Sequence, residues 1–169
     1  MSDTAQPANL SLAHPNTFKF TITRTPNLVY SLQRIDLPGM SISGTQVYPG
    51  PLAHTDFTVP GEKITYDPLT IGCLLDEDFV GWLEIVGWMR ELINAPGAKP
   101  KRVPLKNMSD ATILLNNNKF RSNMAAKIYN LYPTNIGPVS FDYSIGPDAP
   151  LVYDVTFNYS HYEVVSLKE

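Results

Sequence analysis

Leu151-Val152-Tyr153-Asp154-Val155-Thr156-Phe157-Asn158-Tyr159-Ser160 decides the fold class. Leu151, Tyr153, Val155, Phe157 and Tyr159 alternate with Val152, Asp154, Thr156, Asn158 and Ser160. Successive side chains of a strand point to opposite faces, so this period-two run is a half-buried strand. It is expected to continue to about Val165. Upstream lie further strand signals: Ala111 to Leu115, Ala125 to Leu131, and a short one from Val139 to Tyr143. Turn signals separate them. Asn116-Asn117-Asn118 suits a turn because Asn tolerates left-handed backbone angles. Tyr132 to Pro138 reads as a connecting turn, and Gly146 to Pro150 as another with two prolines.

The N-terminal half repeats the theme. Phe18 to Thr23 and Leu28 to Ile35 alternate apolar and polar residues around a Thr25-Pro26-Asn27 turn. Pro38-Gly39 ends the second strand, and a third runs from Met40 to about Tyr48. Residues 49–61 then read as a long irregular loop that still carries Leu52, Phe57 and Val59. Long loops without their own structure are uncommon in compact domains and often functional. The apolar residues on this one need cover, from a neighbouring subunit or from their own domain. Lys63 to Leu75 reads as a strand interrupted at Asp67-Pro68. Residues 1–16 form a polar N-terminal arm.

One stretch changes period. Between about 76 and 95, Phe79, Trp82, Val86, Met89 and Ile93 recur at helical steps. Asp76, Glu77 and Asp78 suit the helix start, where exposed N–H groups favour negative charge. Asn94-Ala95-Pro96-Gly97 is a stop signal. Seven or eight strands, closely spaced turns and one helix predict a single mainly-β domain over 1–169. Its expected form is an antiparallel β-sandwich or barrel with a flanking helix.

Composition narrows the function. The chain has 169 residues, enough to bury a core without metal or disulfide. Charged residues make up 17% against a usual quarter or so. Large buried interfaces would explain that, and so would a β-rich domain with many Thr, Ser and Asn. The net charge of −3 argues against tight nucleic-acid binding but suits a passage through which DNA slides. The lone Cys73 sits in an apolar run and reads as a buried, inert thiol. Met1 to Pro15 lacks the features of a signal peptide, and no apolar run reaches membrane-span length, so a cytosolic, non-membrane protein is expected.

No chemical site emerges. His14, His54 and His161 have no Cys, His or Asp at metal-ligand spacing on the same element, and no P-loop, Rossmann or nucleophile-elbow pattern is present. Asp76, Glu77 and Asp78 are explained by the helix start without a metal. Trp82 and Trp88 point to different sides of the helix and read as packing residues. No catalytic, cofactor-binding or metal residue is therefore assigned. Charge is instead segregated. Lys99, Lys101, Arg102, Lys106, Lys119, Arg121 and Lys127 fall together, after an acidic stretch that includes Asp76, Glu77 and Asp78. Such polarity suits head-to-tail stacking of copies, or two ordinary solvated faces. A DNA-binding basic loop is a third reading, without the interleaved aromatics that would support it.

Lys127 to Tyr143, with its aromatic-Pro-Thr-Asn-hydrophobic-Gly stretch at Tyr132 to Gly137, resembles the tail tube proteins of contractile-tailed bacteriophages. So do the closing Ser160-His161-Tyr162-Glu163, the opening Pro15-Asn16-Thr17-Phe18-Lys19-Phe20, Ile35-Asp36-Leu37-Pro38-Gly39, and Pro60 to Thr70. The resemblance covers most of the chain in order. It implies a virion structural protein assembled in the host cytoplasm, in hexameric rings stacked around a lumen through which genome DNA passes during ejection without specific binding. The implied partners are other copies, the tail sheath, baseplate and tail-terminator proteins, and the tape measure protein. The repeating tube subunit is the leading expectation. A tube-end paralogue, baseplate-side or head-side, is the alternative; a secreted tube subunit of type VI systems or a monomeric sandwich-type binding module is a further one. Leu52, Phe57, Val59, Lys99, Lys101, Arg102, Asp76, Glu77 and Asp78 are the subunit-interface candidates.

Overall fold

In this computed structural model the described residues are 16–47, 57–93, 107–142, 144, 146 and 149–167. The decisive alternation forms β8 (Val152–Asn158), in which Tyr153, Val155 and Phe157 are buried. It runs antiparallel to the 15-residue β7 (Ser122–Ile136). After a break at Tyr159-Ser160 the chain resumes as β9 (His161–Ser166) along the same β7. The register is continuous across the break, with Tyr132 opposite Asn158 and Tyr129 opposite His161. The expected run to Val165 is therefore one ribbon with a bend rather than one strand.

The bend has a counterpart in β7. Asn130 has a φ of 56°, its N–H donates to Asp110 Oδ1 at 3.1 Å, and its side-chain amide donates to Ser160 Oγ at 3.0 Å. Both strands turn together, so the ribbon leaves one sheet and enters another. On the first side, β7 carries β9 on one edge and β6 (Ser109–Asn116) on the other, and β6 pairs with β1 (Phe18–Ile22). On the second, β8 pairs with β5 (Leu69–Leu74), and β5 with β2 (Leu32–Asp36). All these pairings are antiparallel. One core joins the two sides, with Phe20, Ile113 and Ile128 from the first and Ile71, Val155 and Phe157 from the second. The expected antiparallel class with one flanking helix is the observed one, built among the described residues from nine strands and two helices.

The flanking helix is α2 (Val80–Ile93), shorter than the expected 76–95. Asp76 Oδ2 accepts the Val80 N–H at 2.9 Å, which satisfies one of the donors a helix start leaves open. The buried face is Gly81, Ile85 and Trp88, about one position off the anticipated stripe. Trp82 and Met89 pack at its flank, whereas Ile93 is 78% exposed. Gly81 explains the offset. A Cβ there would lie 3.3 Å from the Tyr153 hydroxyl, so a residue without a side chain marks the closest approach of helix to sheet. Trp88 donates from Nε1 to the Asn107 carbonyl at 2.8 Å and sits 6.1 Å from the Phe157 ring, centroid to centroid.

Four expectations are corrected. Leu28 to Ile35 is not one strand: α1 (Leu28–Ser31) is a helical turn, closed by Tyr30 N–H to Asn27 O, and β2 follows. Tyr132 to Ile136 is not a turn but the end of β7. Pro133 is accommodated at a register shift between Pro133 and Asn135, where an irregular ladder tolerates a missing donor. Val139 to Asp142 forms no strand. Residues 57–61 are not loop: they begin β4 (Phe57–Tyr66), which pairs with β3 (Met40–Val47) in a separate two-stranded sheet. The expected break at Asp67-Pro68 separates β4 from β5.

Candidate functional site

The β3–β4 ribbon is the feature the core does not explain. Met40 lies opposite Tyr66 and Ile42 opposite Ile64. Two residues on, the ladder shifts around Gly61, where any side chain would collide with the Ser43 carbonyl. Met40 (55%), Ile42 (57%), Ile64 and Val59 are all exposed. A two-stranded ribbon is at best marginally stable alone in water, and contiguous exposed apolar side chains mark an interaction surface.

Its root is anchored. Tyr66 packs edge-on against Tyr162 with ring centroids 5.4 Å apart, and lies 6.0 Å from Tyr159. The Tyr159 hydroxyl donates to the Asp67 carbonyl at 2.8 Å, and that of Tyr162 to the Pro38 carbonyl at 3.1 Å. Burial, with help from neighbouring Tyr162 and Asp67, pushes the Tyr159 phenol up to about 12, so it remains a donor. Tyr159 and Tyr162 flank the bend between β8 and β9. The ribbon therefore leaves the domain in a direction fixed by the same bend that joins the two sheets.

The interface candidates read from the sequence are placed as follows. Phe57 and Val59 lie in β4, opposite Val47 and Thr45. They belong to the β3–β4 ribbon, as strand residues and not as loop. Leu52, Lys99, Lys101 and Arg102 lie outside the described residues. Asp76, Glu77 and Asp78 are exposed just before α2. Met40, Ile42, Ile64 and the three tyrosines were missed. Pro60-Gly61 hid the ribbon, because in sequence it punctuates and in space it sits on a bulge.

Nothing among the described residues groups three or more His, Cys, Asp or Glu as a metal site would need. Cys73 is buried on β5, and burial pushes its thiol up to about 12, with Asp154 adding to the rise. Among the described residues no helix is long and apolar enough to cross a membrane. Among the described residues β1, β2 and β9 each pair on one side only, leaving strand edges that could accept another strand.

No protein-family profile matches the chain. It is 25% identical over 162 residues to the tail tube terminator protein of Enterobacteria phage T4, a match covering 92% of this chain and 84% of that protein. Among solved structures it superposes on a chain of the anti-feeding prophage cap, described as a tube-terminating cap, with a TM-score of 0.68. Identity there is 15%, covering 98% of this chain and 99% of the other. A chain of an extracellular contractile injection system, from its sheath–tube complex in the extended state, gives a TM-score of 0.66 at 15% identity, covering 99% and 100%. The fold is that of contractile tail tubes, and in sequence the chain is similar to a tail tube terminator.

Proposed function

We propose that this chain is a tube-end subunit of a contractile tail, a ring-forming protein that terminates the tube, rather than the unit repeated along it. The observation that carries this reading is the relationship to a tail tube terminator over 92% of the chain. The β3–β4 ribbon supports the assembly part. Its apolar residues are exposed on the single chain, and neighbouring subunits would cover them. The open edges of β1, β2 and β9 suit closure by further copies. The net charge of −3 suits a passage that must not retain DNA. On this reading the protein is part of the particle, enzymatically inactive, and meets tube, sheath and head-side proteins.

The repeating tube subunit is the second reading. It is favoured by the superposition on a sheath–tube complex, whose TM-score of 0.66 is close to the 0.68 with the cap. Position on the particle separates the two. Gold-labelled antibody against this chain, imaged on intact tails, is expected at one end only. Label along the whole tube would make it the repeating subunit.

A further inference from the structure

Phe120 is an exposed aromatic held in a costly conformation. It is 75% exposed, with a φ of 56°, in the turn between β6 and β7. A bulky residue in the left-handed region costs on the order of 1 kcal/mol or more and persists only where its surroundings enforce it. Here they do. Asn117 Oδ1 accepts the N–H groups of Lys119 at 2.9 Å and Arg121 at 3.0 Å. The Phe120 N–H donates to the Asn117 carbonyl at 2.9 Å, and the Asn117 N–H to the Arg121 carbonyl at 2.8 Å. The result is a rigid apolar knob with a cation on each side.

The opposite end of the molecule carries a matching groove. The knob immediately precedes β7. The groove lies beyond the other end of that strand, where Leu74 pairs with Val152 at the start of β8. It has a volume of about 440 Å³ between α1, the end of β5 and the start of α2, lined by Tyr30, Ser31, Leu74, Leu75, Val80 and Gly81. Tyr30 at its rim is 89% exposed. Asp76 lines it, and the exposed acids Glu77 and Asp78 follow directly in the chain before α2. Two polar atoms behind its lining residues lack a nitrogen or oxygen partner among the described residues. The Tyr153 hydroxyl, beside Gly81, finds no nitrogen or oxygen partner among the described residues. Glu84, which accepts a hydrogen bond from the rim residue Asn27, leaves its second oxygen without a partner there.

We propose that the Phe120 knob of one copy docks in the Tyr30–Leu75–Gly81 groove of a second copy. Lys119 and Arg121 would face Glu77 and Asp78 across the contact. The occupant is assigned by charge. A knob flanked by two cations meets a groove flanked by acids, whereas two knobs or two grooves would repel. Because knob and groove sit at opposite ends, the contact joins copies head to tail and is heterologous. A buried aromatic with opposite charges at its rim is the usual form of an interface hot spot. The inference rests on the ring-forming reading above and specifies one of its contacts.

Sedimentation velocity on the full chain tests it. Phe120→Asn keeps a residue that tolerates the left-handed backbone, so the turn and the thermal melt should be unchanged. Self-association is expected to weaken by roughly ten-fold or more. The paired reversals Lys119→Glu/Arg121→Glu and Glu77→Lys/Asp78→Lys should each fail to associate alone and should associate when mixed. If wild type assembles and Phe120→Asn assembles equally well, or the mixed reversals do not recover, the docking contact is wrong while the ring reading stands. If wild type stays monomeric at every concentration, the ring reading fails and this contact with it.

Discussion

Tyr153 and Cys73 sit side by side in the core and carry different messages. Burial is the main reason both resist ionisation; Cys73 adds to the rise at Tyr153, whereas the hydrogen bond from Tyr153 partly offsets the rise at Cys73. The Tyr153 hydroxyl has no nitrogen or oxygen partner among the described residues, so it contributes little beyond its ring. Tyr153→Phe should leave the melting temperature unchanged or slightly higher. A loss of more than about 1.5 kcal/mol would reveal a partner for the hydroxyl. Cys73, with its thiol pushed up to about 12, is almost entirely protonated at pH 8, and its thiolate is the reactive form. Iodoacetamide at pH 8 should not label the folded protein and should label it in denaturant; labelling of folded protein would place the thiol at an accessible surface. Burial of Cys73 was legible in the apolar run from Ile71 to Leu75. Gly81 was not legible as a core residue, because a pattern of apolar side chains cannot register a residue without one. That single position shifted the whole helical face.

At the scale of elements, local pattern succeeded where one face of a strand is buried and failed where pairing overrides local chemistry. β8 was readable because its alternation follows from burial of Tyr153, Val155 and Phe157 on one side. The end of β7 was not. Tyr132-Pro133-Thr134-Asn135 has turn chemistry, and only its neighbour β8 holds it extended. The β3–β4 ribbon was read as half loop for a related reason. Its bulge uses Pro60 and Gly61, and its exposed apolar residues give no inward-facing stripe. Two substitutions probe these elements. Ile42→Asp/Ile64→Asp places charges on the exposed pair of the ribbon. It should leave the monomer's melt within a few degrees of wild type while abolishing assembly seen by light scattering. Intact assembly would show that the ribbon is not a subunit contact. Asp76→Ala removes the acceptor for the Val80 N–H and should cost about 1 kcal/mol in urea unfolding, the usual worth of a cap. A change near zero would mean that water replaces it.

The whole molecule is a pair of antiparallel sheets joined by one bent ribbon, closed by a helix, with an apolar arm and open strand edges left over. Of that form, the antiparallel mainly-β class and the flanking helix were legible, because strand alternation, closely spaced turns, one long helical pattern and the ordered tail-tube motifs pointed to them; the bend and the ribbon were not. The proposed place at a tube end was not legible either. Tube body and tube end share one fold, and the difference lies in surfaces whose partners leave no periodic mark on the sequence. A repeating subunit must offer compatible surfaces at both ends of its ring, whereas a terminating one must stop growth at one. Negative-stain electron microscopy of the purified protein over a range of concentrations addresses this most directly. The tube-end account predicts closed rings, single or in short fixed stacks that do not lengthen with concentration. Long hollow tubes that grow with concentration would contradict it and make this chain the repeating unit of the tube.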